Sequence, residues 1–310
     1  MKTAFVFPGQ GAQYIGMAMD YVEKHPEVKN ILLSFDESHG TNLHGIMAEG
    51  PEEALKDTKI TQPAILFHSM CAYFAFQHRS SLVPDFVAGH SLGEFTALVA
   101  SGILQLEDAM HLVHKRGEFM IKANAGVPFA MAAIIGLDAG TVVALCAEAS
   151  SAGLVQAVNF NTPVQTVISG TADGVAAAGE LAKSKGAKRV LPLIVGGPFH
   201  TPLIAEASKW LESEMQTLSF QDGSIPVVSN LDALPCSSGS LERDKLVQQI
   251  ISPVRWVECV EYMVEQGVSR FIEFGPQKVL SGMIRNICKD VEVFSIDKIE
   301  DVDAVVSATG

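Results

Sequence analysis

The chain has 310 residues, 48% of them hydrophobic and 18% charged, with a formal net charge of −13. That length suits one large or two modest domains around a substantial core, and the composition excludes a disordered chain. The acidic balance disfavours nonspecific binding to nucleic acid or an anionic membrane surface, and no apolar run reaches the ~18 residues of a membrane span.

At the start, "TAFVF" reads as a first strand rather than a signal peptide, and "PGQGAQ" follows it as a glycine turn. Helical spacing then runs through "MAMDYVEKHPEVKNILLSF" and "QPAILFHSMCAYFAF". The next stretch, "DFVAGHSLGEFTALVASG", is an apolar strand that breaks and resumes as a helix, with Gly89 and Gly93 flanking Ser91. This is the G-x-S-x-G pattern of a nucleophile elbow in the strand–turn–helix context it requires. A helix in "LEDAMHLVHKRGEFMIKA" follows. Strands alternating with helices predict an α/β core with a mainly parallel sheet.

From Gly126 the order becomes strand "FAMAAIIG", helix "AGTVVALCAEASSAG", strands "LVQAVNF" and "QTVISG", helix "ADGVAAAGELAKSKG" and strand "KRVLPLIV". That β-α-β-β-α-β order is a ferredoxin-like unit. The expected organisation is an α/β core formed by residues 1–125 and 198–310, with a ferredoxin-like subdomain at 126–197. Beyond it, helices and strands resume through "PLIAEASKWLESEM", "IPVVSN", "LERDKLVQQI", "RFIEFG" and "KVLSGMIRNIC", with "DALPCSSGS" as an exposed loop. Cys71, Cys146, Cys236, Cys259 and Cys288 are scattered and odd in number, which fits reduced thiols in a cytoplasmic protein and offers no metal-binding spacing.

Ser91 is either a nucleophile or the N-cap of a capping box closed by Glu94. A nucleophile needs a base, and His200 ends "VLPLIVGGPFH" before Thr201-Pro202, a helix start. It is therefore expected at a strand-to-helix junction on the same sheet edge as Ser91, whereas His90, beside the serine, points away. Asp108, Asp138 and Asp173 suit caps or solvent, so a backbone carbonyl is expected to orient the imidazole in a Ser-His dyad. The N–H of Leu92 is the first oxyanion donor, and Gly9 and Gly11 let the N–H of Gln10 supply the second; a plain glycine turn is the alternative. G-x-G-x-x-G fails at Tyr14, excluding a dinucleotide fingerprint. Ala109, Val113, Arg116 and Met120 share one helix face, otherwise apolar, so Arg116 must have a partner there. A structural carboxylate or a substrate carboxylate held by the guanidinium fork both meet that need.

The stretches "FPGQGAQ", "TQPA", "GHSLGE", "KRGEFM", "VNFNTP", "GPFH", "LVQQIISPVRW" and "EFGPQKVL" together resemble the malonyl-CoA:acyl carrier protein transacylase family, in family order and over essentially the whole chain. The resemblance implies an α/β-hydrolase-like core with the ferredoxin-like insertion. It implies Ser91 as nucleophile, His200 as base, Gln10 and Leu92 as oxyanion hole and Arg116 as anchor for a malonyl carboxylate. Gln249 would orient His200 through its carbonyl, and Asn161, Gln62 and Met120 would line the pocket. Phe199, in "GPFH", would crowd a 2-methyl branch, a methylene-sized discrimination of about 1–3 kcal/mol. The implied reaction moves malonyl from malonyl-CoA through Ser91 to the phosphopantetheine thiol of acyl carrier protein, releasing coenzyme A, with no metal or redox cofactor and with a monomer as the default state. The rivals are a discrete acyltransferase of a polyketide or polyunsaturated fatty acid synthase, a serine hydrolase or thioesterase, and a non-catalytic scaffold. Lys183, Lys185, Lys188 and Arg189, in "KSKGAKR", are either a docking patch for an acidic carrier protein or a solvated helix end.

Overall fold

The computed structural model describes residues 1–124 and 126–310, and it contains two sheets. The first is built from β1 (Lys2–Phe7) and β2 (Phe86–Gly89). The second takes β3 (Phe129–Ile135), β4 (Val155–Thr162), β5 (Gln165–Thr171) and β6 (Arg189–Pro192). The chain then returns to the first sheet with β7 (Val227–Val228), β8 (Pro235–Cys236), β9 (Val268–Phe274) and β10 (Glu292–Ile296).

The first sheet runs β10-β9-β1-β2-β7-β8 and is parallel except for its last pair. All four residues of β2 are buried, and β1 is buried beyond its first residue, as expected of strands covered on both faces. The rings of Phe5, Phe7, Tyr73, Phe76 and Phe274 pack on one face at centroid distances of 4.8–6.2 Å. The second sheet is antiparallel throughout, in the order β4-β5-β3-β6. Helices Ala139–Ala149 and Ala172–Ser184 cover it, and Ile134, Val142, Leu145, Ile168 and Ala178 are buried between. The molecule is thus an α/β-hydrolase-like core with a ferredoxin-like insertion, and β3 to β6 fall inside 126–197.

Three expectations change at the level of elements. Pro26 divides the first helical stretch into Met19–Lys24 and Lys29–His39, joined by a 3-10 turn. The loop expected at "DALPCSSGS" contains β8 and the start of helix Gly239–Gln249. Helices Trp256–Glu265 and Asp301–Thr309 and the edge strand β10 extend the core beyond the elements read from periodicity. No described helix is long and apolar enough to cross a membrane.

Candidate active site

β1 and β2 lie side by side with Phe7 opposite Gly89, so the loops that leave them start from one edge of the sheet. The N–H of His90 donates to Phe7 O (3.1 Å), extending that pairing into the turn. The turn is tight enough to demand glycine: a Cβ on Gly89 would stand 1.9 Å from the backbone of Gly93, and one on Gly93 would stand 2.1 Å from Phe7 O. Between them Ser91 adopts φ 52°, ψ −101°, a conformation that costs a residue with a Cβ about 1–3 kcal/mol. Helix Leu92–Ser101 begins directly after it. The capping box does not form. The Ser91 side chain makes no cap bond, and Glu94 turns inward to accept from the N–H of Asn230 (2.7 Å).

The Ser91 hydroxyl points instead at His200, with Oγ 2.8 Å from Nε2. The other ring nitrogen, Nδ1, lies 2.9 Å from the carbonyl oxygen of Gln249. A carbonyl can only accept, so Nδ1 carries the proton and Nε2 is left to take one from serine. The backbone of Gln249 thus fills the place of a third triad member. His200 reaches this position by a route the sequence did not suggest. β6 ends at Pro192, and residues 193–199 form a loop that brings His200 in at φ 60°. Thr201 caps the following turn through Leu203 N, as expected of Thr-Pro.

Arg116 is 1% exposed. Its Nη1 donates to Gln62 Oε1 (2.9 Å), and its Nη2 donates to both Ser91 Oγ and Gln249 Oε1 (3.0 Å each). Among the described residues its Nε has no partner, and the guanidinium lies 5.5 Å from the centroid of the Phe95 ring. Among the described residues no carboxylate makes an ion pair with it. Burial lowers its pKa to about 10, with the nearby Glu94 opposing, so it remains a cation at neutral pH. Burial and the Arg116 charge together lower His200 to about 3, against which the Gln249 carbonyl works. An ordinary histidine would titrate near 6.5; this one stays neutral well below that.

Gln10, Gln62, His90, Ser91, Leu92, Arg116, Met120, Phe199 and His200 all border one cavity of about 110 Å³, together with Met131, Asn159, Val167, Leu193 and Val195. Leu92 is the first residue of its helix, so its N–H has no carbonyl one turn back to receive it. Gln10 sits on the neighbouring loop, its side chain reaching Thr58 Oγ1 (3.4 Å). Met120 receives the Gln62 amide on its sulfur (3.8 Å).

Two expected pocket residues are placed differently. Asn161 accepts from His90 Nε2 (2.8 Å), and it is Asn159, two residues earlier on β4, that lines the cavity. Gln249 is also outside the lining. Its side chain is a brace that accepts from Arg116 and donates to Ser91 O (3.0 Å). Lys183, Lys185, Lys188 and Arg189 are exposed, and Lys183 pairs with Glu180 at 2.7 Å. Asn230, and the turn of Glu94 inward to meet it, were not anticipated as parts of the site, because the two partners are 136 positions apart in sequence.

A neutral imidazole on a strained serine, beside a helix-start N–H with no carbonyl partner, is the equipment of serine-dependent acyl transfer on a hydrolase-like core. Residues 4–304 match the acyl transferase domain family, to which the chain therefore belongs. It is 42% identical over 306 residues to the malonyl CoA-acyl carrier protein transacylase of Bacillus subtilis, covering 98% of this chain and 96% of that protein. It is 40% identical over 307 residues to the protein of the same name from Escherichia coli K12, covering 99% and 98%. Among solved structures, an acyl-carrier-protein S-malonyltransferase from Burkholderia pseudomallei superposes with a TM-score of 0.94 at 42% identity, over 99% of this chain and all of the other. A malonyl-transacylase in complex with a type II polyketide synthase acyl-carrier protein gives 0.95 at 36% identity over the full length of both chains.

Proposed function

We propose that this chain is an acyl-carrier-protein S-malonyltransferase that supplies malonyl units for fatty acid synthesis. Malonyl-CoA is the donor, and the acceptor is the phosphopantetheine thiol of an acyl carrier protein. The observation that carries the substrate assignment is Arg116: a buried cation without a carboxylate of its own, hydrogen-bonded to the nucleophile's hydroxyl. A malonyl group brings the missing carboxylate, two atoms beyond the thioester carbon. A neutral acyl group leaves the guanidinium as it is.

In this reading Nε2 of His200 takes the Ser91 hydroxyl proton as Oγ attacks the thioester carbon. The developing oxyanion meets the N–H groups of Leu92 and Gln10, and coenzyme A departs as the thiol with the proton held by His200. The carrier thiol then gives its proton to His200, attacks the malonyl ester and regenerates the serine. No step needs a metal or redox cofactor. Among the described residues no cluster of three or more His, Cys, Asp or Glu is arranged to hold a metal ion. A polyketide carrier protein is the second reading, favoured by the likeness to the structure solved with one. The five unpaired thiols support a cytoplasmic location.

Intact-mass measurement after mixing with malonyl-CoA tests the proposal. Wild type should gain one malonyl group on Ser91, and Ser91→Ala should gain none. Labelling of the alanine variant would refute the assignment.

A further inference from the structure

Beneath the elbow, on the side away from the cavity, lies Asn230, fully buried just after β7. Its Oδ1 accepts from the N–H of Ser91 (2.7 Å) and its Nδ2 donates to Gly89 O (2.7 Å). One carboxamide therefore spans the turn, taking the last carbonyl of β2 and the amide of the nucleophile itself. Its own N–H is held by Glu94 Oε2 (2.7 Å), from the first turn of the helix that the elbow launches. The peptide on the far side of Ser91 is held as well, its carbonyl accepting from Gln249 Nε2. The backbone groups of Ser91 are thus saturated from below, and its hydroxyl is the group left to face the cavity.

We propose that Asn230 is a positioning residue for the nucleophile. It holds Ser91 in its strained conformation, and by occupying the Ser91 N–H it leaves Leu92 as the donor of the elbow that faces the substrate. The inference rests on the reading of Ser91 as nucleophile. Asn230 does not line the cavity and touches no part of the substrate site except through Ser91.

The carboxamide is used as both acceptor and donor, and that makes the role testable. Aspartate at this position keeps the shape and can still accept from Ser91. When ionised it presents a second acceptor to Gly89 O, and only when protonated can it donate there. Buried, and beside Glu94, it should hold its proton to higher pH than an exposed aspartate. The other groups around it are Glu242 and Lys245 from the helix Gly239–Gln249, Asp232 on its own loop, and Arg255 and Cys259 from the start of the next helix. His200 and Arg116 lie across Ser91. Lys245 and Arg255 pair with carboxylates of their own, Asp232 and Glu258.

The experiment is single-turnover acylation of Ser91 by malonyl-CoA, followed by quenched intact-mass measurement from pH 5 to 8 in wild type, Asn230→Ala and Asn230→Asp. Malonyl-CoA binding is measured separately on the Ser91→Ala background with and without each change. Acylation should slow by roughly ten- to a hundredfold in both variants, the scale expected when a reacting atom is displaced by about 1 Å. Binding should stay within about twofold, and Asn230→Asp should recover toward the wild-type rate as pH falls. Wild-type acylation in Asn230→Asp at pH 8 would overturn the inference. So would a loss matched by an equal loss of binding, or an aspartate variant that shows no recovery at pH 5. The near-isosteric aspartate keeps the test decisive if the alanine variant does not fold. Wild type that fails to acylate at Ser91 would instead strike the functional reading.

Discussion

Arg116 and His200 are coupled through Ser91, and their charges explain each other. The guanidinium touches the serine oxygen that the imidazole also touches, so a proton on His200 would face a buried cation across one atom. With its pKa lowered by burial and then by Arg116, His200 is neutral across the working range, and kcat/KM for malonyl-CoA should show no acid limb between pH 5 and 8. This replaces the limb near pH 6.5 that an unperturbed histidine would give. Arg116→Ala removes the largest charge among the causes that depress His200, so the limb should move up toward 6.5. A rate profile of the alanine variant that stays flat would show that the coupling is absent. The same variant tests the malonyl anchor. Losing one side of a buried charged pair costs about 3–5 kcal/mol, or roughly two to three orders of magnitude at ~1.4 kcal/mol per decade. The malonyl-CoA to acetyl-CoA ratio of kcat/KM should collapse accordingly, and lysine should restore only part of it, having charge without the fork. An unchanged ratio would make Arg116 structural only.

At the scale of elements, the elbow is where a strand, a turn and a helix must fit without a side chain between them. Gly93→Ala would place a Cβ 2.1 Å from Phe7 O, a backbone atom that cannot rotate away. The result should be a destabilisation at or above the ~3 kcal/mol upper end of ordinary overpacking. It should also push helix Leu92–Ser101 away from the loop of Gln10, separating the two N–H groups proposed as oxyanion donors. Thermal unfolding and acylation rate check the two effects, and a variant with wild-type stability would contradict the contact. This element was legible because glycine, serine and hydrophobic period all fall within eighteen residues. The β-α-β-β-α-β order was legible for the same reason: each of its elements announces itself locally. His200 was recognised as a residue but not in its setting, since a loop in place of a strand end carries it. Gln249 shows the limit from another side. Its backbone carbonyl, which holds His200, is common to every residue type, so the family resemblance pointed to it where the chemistry of the residue could not. Asn230 reaches Ser91 across 139 positions, and Glu94 across 136 back to it, distances over which periodicity is silent. The edge strand β10 and the last helix are short and half-exposed, which weakens the hydrophobic period that would reveal them.

For the whole molecule the question is how a chain of net charge −13 would receive the acidic carrier protein that the family resemblance implies. Uniform charge would repel it, so the docking site proposed here is a local basic surface. Lys185, Lys188 and Arg189 are exposed at the turn into β6, while Lys183 is partly neutralised by Glu180. From Arg189 the chain runs along β6 to Leu193, which lines the cavity. Four residues of extended chain span about 13 Å, which places the charges one short strand from the cavity lining. A carrier held there would have its phosphopantetheine arm within reach of Ser91. Coenzyme A presents the same thiol arm without the protein, so it would not depend on that surface to the same degree. Lys188→Glu with Arg189→Glu should therefore raise the KM for carrier protein and leave that for malonyl-CoA unchanged. The wild-type KM for carrier protein should climb with ionic strength as the charges are screened, and the double variant should lose most of that salt dependence. Both constants are obtained from initial rates with each substrate varied in turn at several salt concentrations. Should both rise together in the double variant, the lysines are a solvated helix end, and the carrier docks elsewhere on the rim of the cavity.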